Sequence, residues 1–190
     1  MLIIGILASG KGSNLQAIID NIASGKLNAK IGCVISDNAD AFALERAKKA
    51  KIPAYHIPYK NTLMPQCEIE YVECLKKHNV ELVCLAGFMR IIKPTLLNAF
   101  KNRIINIHPA LLPAFPGLHA QKQAYDYGVK VTGATVHFVD EGMDTGGIIL
   151  QRTVEVKKDD TEETLSKRIL GVEHQVYSEA IQLFADKQIK

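Results

Sequence analysis

The stretch Arg103-Ile104-Ile105-Asn106-Ile107-His108-Pro109 is a short apolar strand that ends in polar side chains. Because side chains alternate along a strand, Ile105 and Ile107 point one way, while Asn106 and His108 share the other face. A reaction that forms an oxyanion and moves a proton uses an amide donor and a group that titrates near neutrality. The alternative is a strand end whose polar residues meet solvent. The proline-rich loop 109–119 favours a site, because open α/β sheets carry their chemistry at such strand ends.

Apolar runs similar to this strand alternate with helix-like segments over the first hundred residues. The strands are predicted at 2–7, 30–36, 54–57, 82–86 and 103–108, and the helices at 14–23, 41–49, 66–78 and 94–100. Continuous apolar strands separated by helices predict a parallel sheet that is covered on both faces. Right-handed crossovers then make this half doubly wound and Rossmann-like.

The pattern changes after residue 108. A short helix is predicted at 120–127, followed by strands at 132–139 and 147–156 that are joined by the acidic turn 140–146. A long helix follows from about Thr161, its predicted N-cap, to Ala185. The sequence therefore predicts an α/β protein with a three-layer, doubly wound, mostly parallel sheet, whose C-terminal extension contains an antiparallel strand. One domain is expected over residues 1–190.

Composition limits the class of protein. The chain has 190 residues, 47% hydrophobic and 23% charged, which is typical of an ordinary globular domain. The net charge of +3 is dispersed, which disfavours a nucleic-acid partner and suits small anionic ligands. The four cysteines form no C-x-x-C pair, which favours free thiols in a reducing compartment. No signal peptide or membrane-spanning run is recognised, so a cytoplasmic protein without a membrane partner is expected.

The loop Ala8-Ser-Gly-Lys-Gly-Ser-Asn14 lies between the first predicted strand and helix. Its glycines let the backbone approach a ligand, and helix-terminal N–H groups favour an anion. Ser13 or Asn14 could cap the helix and also donate to a phosphate. The spacing matches neither G-x-G-x-x-G nor the P-loop, so a single phosphate on a small metabolite is favoured. A plain capped turn is the alternative, but it leaves Lys11 unexplained.

Asn106, His108 and Asp144 could act together on an acyl or formyl group. Asn106 would donate to the developing oxyanion, and His108 would stabilise it as a cation and protonate the leaving nitrogen. Asp144, in the acidic turn, would keep the imidazole charged and oriented. Alternatively, Asp140, Glu141 and Asp144 form a solvated turn or bind a divalent ion, although their spacing is not that of a calcium loop.

The segment Gly87-Phe-Met-Arg-Ile-Ile92 is more apolar than a short loop requires. A flat apolar ligand could rest on it, with Arg90 at a polar edge of that ligand. The alternative is that these residues begin the next helix and belong to the core. His137 is expected either to line the pocket or to support it.

The chain resembles the phosphoribosylglycinamide formyltransferases, the folate-dependent family of purine synthesis. The resemblance spans essentially the whole chain and is carried by Gly12-Ser-Asn-Leu-Gln16, Asp40-Ala-Phe-Ala-Leu-Glu-Arg46, Leu85-Ala-Gly-Phe-Met-Arg90, Asn106-Ile-His-Pro-Ala-Leu-Leu-Pro113, Phe115-Pro-Gly-Leu-His119 and the turn 140–144. It implies transfer of a formyl group from 10-formyltetrahydrofolate, a co-substrate, to the amine of glycinamide ribonucleotide. It implies small-molecule partners, no metal, and a monomer or weak homodimer.

The resemblance also implies roles for residues. The catalytic set is Asn106, His108 and Asp144. The ribonucleotide is held by Gly12, Ser13, Asn14, Leu170, Gly171, Val172 and Glu173, with Glu173 at the substrate amine. The folate is held by Met89, Arg90, Ile91, Ile92, Asn106, Asp140, Glu141, Gly142, Met143 and Asp144. Residues 1–100 would then be the phosphate-binding half and 101–190 the catalytic and folate-loop half. The family's folate-contacting Arg is replaced by Met64, and Lys60 is the nearest basic residue.

Other functions remain open at this point. Methionyl-tRNA formyltransferase and formyltetrahydrofolate deformylase share the catalytic set. The first needs an additional C-terminal domain and the second an N-terminal regulatory domain, for which this chain is expected to have no room. A third alternative is a catalytically idle folate- or nucleotide-binding module on the same fold, because fold does not fix function. The intact set of Asn106, His108 and Asp144 disfavours it.

Overall fold

Seven strands form one sheet in the computed structural model, which describes residues 1–59 and 66–189. The strands are β1 (Leu2–Leu7), β2 (Ala29–Ser36), β3 (Ala54–His56), β4 (Leu82–Leu85), β5 (Ile104–His108), β6 (Val131–Phe138) and β7 (Ile148–Glu155). Their order is β3-β2-β1-β4-β5-β6-β7. Strands β1 to β5 pair in parallel, whereas β6 pairs antiparallel with both β5 and β7. The predicted antiparallel strand is therefore β6.

Six helices connect these strands in the same described ranges. They are α1 (Ser13–Ala23), α2 (Phe42–Lys49), α3 (Gln66–Lys77), α4 (Pro94–Ala99), α5 (Ala120–Tyr127) and α6 (Glu162–Ala185). Each predicted element is present, and no bound differs from its prediction by more than one residue. The prediction that Met64 replaces the family's folate-contacting Arg, with Lys60 as the nearest basic residue, concerns positions outside the described residues. None of the described helices has the length and apolarity needed to span a membrane.

Two apolar cores lie on opposite faces of the sheet. The first packs α1, α2 and α6 against it and includes Leu15, Ala47 and Tyr177. The second packs α3 and α4 against the other face and includes Tyr71 and Leu96. Strand β4 alternates between the cores in the way that a doubly covered parallel sheet requires. The three-layer, doubly wound prediction is confirmed.

The sheet reverses its winding direction between β1 and β4. From β1 the chain winds outward through β2 and β3, and it then crosses back so that β4 lies on the other side of β1. The carboxyl ends of β1, β4 and β5 meet beside this switch point, where open α/β sheets bind their ligands. On β5, Ile105 and Ile107 enter the first core, so Asn106 and His108 lie on the opposite face.

Helices α6 and α1 begin in different ways. Thr161 caps α6 with a capping box, in which the Thr164 backbone N–H donates to Thr161 Oγ1 (3.2 Å) and the Thr161 N–H donates to Thr164 Oγ1 (2.9 Å). Helix α1 instead begins at Gly12 (φ 67°) with no side-chain cap. The prediction that Ser13 or Asn14 caps this helix is wrong, because the Asn14 amide donates to α6 instead.

Candidate active site

A cleft of about 690 Å³ opens at the carboxyl ends of β1, β4 and β5. Its lining brings together segments that are far apart in sequence: residues 9–14, 85–92, 106–109, 117–119, 137–144 except Phe138 and Glu141, and the side chains of Gln121, Leu170 and Glu173. The glycine loop 8–14, the Asn106–His108 strand end, the apolar segment 87–92 and the acidic turn therefore share one cleft, as the sequence predicts.

The glycine loop is held in place by α2. The Ala43 N–H donates to the Gly10 carbonyl (3.1 Å), and Arg46 Nε donates to the Lys11 carbonyl (2.9 Å). A Cβ on Gly12 would lie only 2.8 Å from the Ala43 Cα, so this close approach requires glycine as well as the positive φ does. The loop consequently presents the uncapped N-terminus of α1 to the cleft.

Asn14 and Glu173 form a buried pair beside this loop. Asn14 Nδ2 donates to Glu173 Oε2 at 2.8 Å, and both residues are at least nine-tenths buried. Asn14 Oδ1 is buried without a hydrogen-bond partner among the described residues. Burial raises the pKa of Glu173, and the Asn14 hydrogen bond opposes this only in part. The carboxylate is therefore a stronger base than an exposed one.

His108 is buried at the base of the cleft, and its two ring nitrogens have different partners. Nε2 lies 2.8 Å from the Phe115 carbonyl oxygen. Because a carbonyl can only accept, Nε2 carries a hydrogen in every protonation state. Nδ1 lies 3.4 Å from Asp144 Oδ2. Nδ1 is therefore the nitrogen that gains or loses a proton.

Asp144 is oriented by the backbone and faces two imidazoles. Its φ is +56°, and its Oδ2 accepts the Gly117 N–H at 2.8 Å. Its Oδ1 lies 3.6 Å from His137 Nε2. Burial raises the pKa of Asp144, but the contacts with His137, Gly117 and His108 together lower it below its usual value. Asp144 is thus an anion at neutral pH.

Opposing effects act on the charge of His108. Burial lowers the pKa of His108, the Asp144 carboxylate and the Phe115 carbonyl raise it, and His137 lowers it further. The balance places this pKa below the usual value for histidine. That Asp144 keeps the imidazole charged and oriented stays a prediction, because the carboxylate 3.4 Å from Nδ1 favours the cation while the loss of hydration opposes it.

Asn106 lies opposite His137 in the antiparallel pairing of β5 with β6. His137 Nδ1 is 2.7 Å from the Phe138 carbonyl oxygen, so Nδ1 carries the hydrogen of the neutral ring. Its Nε2 can then accept from Asn106 Nδ2 at 3.1 Å. This hydrogen bond orients the Asn106 carboxamide, and one amide hydrogen remains for a ligand. His137 thus both lines the cleft and supports Asn106.

The apolar segment divides its side chains between core and cleft. Phe88 and Ile92 are buried in the second core, whereas Met89 and Ile91 are each 60% exposed at the rim. Arg90 Nε donates to Asp37 Oδ2 at 2.6 Å across the rim. Both interpretations of this segment therefore hold in part, because Phe88 and Ile92 belong to the core while Met89 and Ile91 lie at the rim of the cleft. The helix that follows begins only at Pro94.

Three residues of the implied binding set do not line the cleft. Val172 packs against the first core and a smaller cluster of Val154, Leu165 and Ile169, and Gly171 is exposed on α6 away from the cleft. Leu170 and Glu173 do line it, because residues three apart share one face of a helix. In the acidic turn, Glu141 is exposed, and Asp140 Oδ1 instead accepts the Gly142 N–H (3.0 Å) and the Thr145 hydroxyl (2.7 Å). Asp140 therefore shapes the turn that presents Asp144.

Several groups of this site carry no signal in the sequence. The Phe115 carbonyl and the Gly117 N–H are backbone atoms that any residue would supply. Asp37 and Glu68 are acidic residues far from the cleft motifs, and only the fold brings them to the rim segment. Among the described residues, no group of three or more His, Cys, Asp or Glu side chains is placed to hold a metal ion.

The fold and the cleft together define a Rossmann-like transferase site, with an anion loop on one side and an amide, an imidazole and a carboxylate on the other. Residues 3–181 match the family model described as formyl transferase. The chain is 45% identical to phosphoribosylglycinamide formyltransferase of Bacillus subtilis over 177 residues, covering 93% of this chain and 91% of that protein. The chain therefore belongs to the formyl transferase family, among its phosphoribosylglycinamide formyltransferases.

Two further comparisons extend this assignment. The crystal structure of glycinamide ribonucleotide transformylase 1 from Symbiobacterium toebii has a TM-score of 0.95 at 50% identity, and the match covers 100% of this chain and 90% of that one. The trifunctional purine biosynthetic protein adenosine-3 of Drosophila pseudoobscura pseudoobscura is 47% identical over 192 residues, covering 98% of this chain. The chain spans 14% of the length of that relative.

Proposed function

We propose that this protein transfers the formyl group of 10-formyltetrahydrofolate to the amine of glycinamide ribonucleotide, giving formylglycinamide ribonucleotide and tetrahydrofolate. One observation carries the proposal: the anion-binding loop, the Asn106–His108–Asp144 set and the apolar rim open into a single cleft. Gly12, Ser13 and Asn14 would hold the phosphate, and the rim 89–92 with the turn 140–144 would hold the folate. The names of the family relatives support the same substrates.

The reaction begins with attack of the free amine on the formyl carbon. A nitrogen–carbon bond forms, and the electron pair of the carbonyl double bond moves onto oxygen. Asn106 Nδ2–H, oriented by His137, donates to this oxyanion. Removing a single donor of this kind typically costs about 2.7–4 kcal/mol of transition-state stabilisation. Glu173, whose pKa is raised, is suited to hold the amine through its protons.

His108 carries the proton from one nitrogen to the other. A pKa below the usual value favours the neutral ring at neutral pH, in which Nδ1 can accept the proton that the attacking nitrogen loses. The imidazolium that results lies beside the Asp144 anion and the new oxyanion, and both stabilise it. When the intermediate collapses, the bond from carbon to the folate nitrogen breaks and Nδ1–H protonates that nitrogen. No acyl-enzyme is needed, because the amine attacks the formyl carbon directly.

The organisation of the protein follows from this scheme. We infer a single formyltransferase unit over residues 1–190, in which residues 1–100 bind phosphate and residues 101–190 supply the catalytic groups and the folate turn. Its partners would be the two small molecules, without nucleic acid, membrane or metal. A monomer or weak homodimer in the cytoplasm is the state that we propose.

A spectroscopic turnover assay with both substrates, repeated with each one omitted, tests this function. Formylation that requires both the ribonucleotide and the formylfolate is the expected result. Formate release without the ribonucleotide would instead indicate a deformylase. Tight binding of both ligands without turnover would indicate a catalytically idle module. Transfer of the formyl group to methionyl-tRNA would indicate a methionyl-tRNA formyltransferase.

A further inference from the structure

The rim segment 87–93 is fixed at its first residues by the phosphate loop. Ser9 Oγ accepts the Met89 N–H at 2.9 Å, and the Ser9 N–H donates to the Gly87 carbonyl at 3.1 Å. These two hydrogen bonds therefore connect the loop proposed to bind the phosphate with the segment proposed to bind the folate. A loop that presents the exposed side chains of Met89 and Ile91 to a ligand also needs an anchor at its other end, since loops without one are mobile.

That second anchor is the carboxylate of Glu68, on the first turn of α3. Glu68 is completely buried, which is unusual for an acidic residue. Its Oε1 accepts the Lys93 N–H at 2.6 Å, and its Oε2 accepts the Leu96 N–H at 3.0 Å. Lys93 is the N-cap residue of α4 and its own side chain makes no capping bond, so Glu68 caps that helix from another element.

Tyr59 extends the anchor to the rim itself. Its hydroxyl lies 2.6 Å from Glu68 Oε1 and 2.8 Å from the Ile91 carbonyl oxygen. Tyr59 also packs edge-on against Phe88, with ring centroids 5.9 Å apart. The carboxylate therefore fixes the backbone at Lys93 directly, and the single hydroxyl hydrogen of Tyr59 lies between this carboxylate and the Ile91 carbonyl, to either of which it can donate.

We propose that Glu68 is a positioning residue for the folate, acting through Tyr59 and the start of α4 without touching either substrate. A buried carboxylate is costly unless hydrogen bonds replace its water, and here two donors come from the start of α4, which follows the rim, and one is the Tyr59 hydroxyl. The inference rests on the proposed function, because it takes segment 89–92 as the folate wall. It predicts that loss of the anchor weakens folate binding and spares the ribonucleotide.

The test is Glu68→Gln, compared with Glu70→Gln, an exposed acid on the same helix. The amide keeps the size of the carboxyl group but turns an N–H₂ toward a donor. We expect the KM for 10-formyltetrahydrofolate to rise roughly tenfold, with kcat and the KM for glycinamide ribonucleotide within twofold of wild type. Calorimetry with tetrahydrofolate should show the same rise in Kd, and Glu70→Gln should show neither change.

Tyr59→Phe is the second variant, and it decides the matter if Glu68→Gln does not fold. It removes only the hydroxyl, so we expect a smaller rise in the same KM, about threefold. Unchanged folate binding in the variants that fold, or an equal loss for both substrates, would overturn the positioning role. Wild-type protein that binds neither substrate would overturn the proposed function itself, which separates the two failures.

Discussion

Replacing Asp144 with Asn removes the anion beside the proton-carrying nitrogen and keeps the size of the side chain. The Asp144 Oδ2 to His108 Nδ1 distance is 3.4 Å, and the Asp144 side chain is 13% exposed. Coulomb attraction between unit charges at this separation is about 1 kcal/mol in bulk water and about 5 kcal/mol at an effective dielectric constant of 20. We expect a value between these limits, because the pair is largely buried.

This attraction acts on the imidazolium, which forms during the reaction. Its loss therefore raises the barrier more than it changes ground-state binding. With about 1.4 kcal/mol per tenfold change, kcat should fall by roughly a hundred- to a thousandfold, with both KM values within a few-fold of wild type. The spectroscopic turnover assay measures this directly. Asp126→Asn, which removes an exposed carboxylate paired with Lys122, is the matched control and should leave kcat unchanged.

The pH dependence of kcat/KM for Asp144→Asn tests the same interaction in a second way, through the direction in which the His108 pKa moves. Neutral His108 is the form that accepts the proton, so kcat/KM should fall as the pH drops through the His108 pKa, which lies below its usual value. Asp144 raises that pKa, so its removal should move the acid limb to lower pH. Turnover within threefold of wild type, or an acid limb that moves to higher pH, would refute the reasoning.

Three further variants test other parts of the structure. Asn14→Ala should raise the KM for the ribonucleotide with little change in kcat, because it loses a loop contact and the partner of Glu173; an unchanged KM would count against the phosphate loop. Tyr177→Phe should lower the free energy of unfolding by about 1–3 kcal/mol in urea titrations, because the buried hydroxyl contacts two strand carbonyls. Gly12→Ala should lower the melting temperature and weaken ribonucleotide binding together, since the new Cβ would lie 2.8 Å from the Ala43 Cα; normal behaviour in both assays would contradict the close approach.

Local patterns were sufficient to predict the sheet and the position of its cleft. Apolar strands that alternate with helices can be buried only in a few ways, so their order along the chain leaves few topologies. The alternation in β5 likewise placed Asn106 and His108 on one face before any pairing was known. These inferences depend on neighbours within a few residues, where sequence and structure are closely linked.

Contacts between distant segments were not predictable in the same way. The register of β6 sets Asn106 opposite His137, and a shift by one residue would place the imidazole on the other face. Nothing in the sequence near either residue specifies that register. The first turn of α1 shows the same limit, because Asn14 is a good capping residue that donates instead to Glu173, 159 positions away.

The protonation state of His108 shows why the residues of a site do not determine its chemistry. The attraction of Asp144 favours an imidazolium, whereas burial and the neighbouring His137 bring the pKa of His108 below its usual value. The lowered pKa favours catalysis of formyl transfer, because a ring that is already charged cannot accept the proton of the attacking amine. A neutral ring accepts it and becomes a cation only when an oxyanion and Asp144 are both present to stabilise it. The low pKa and the nearby carboxylate are therefore complementary, since the first sets the starting state and the second lowers the energy of the intermediate.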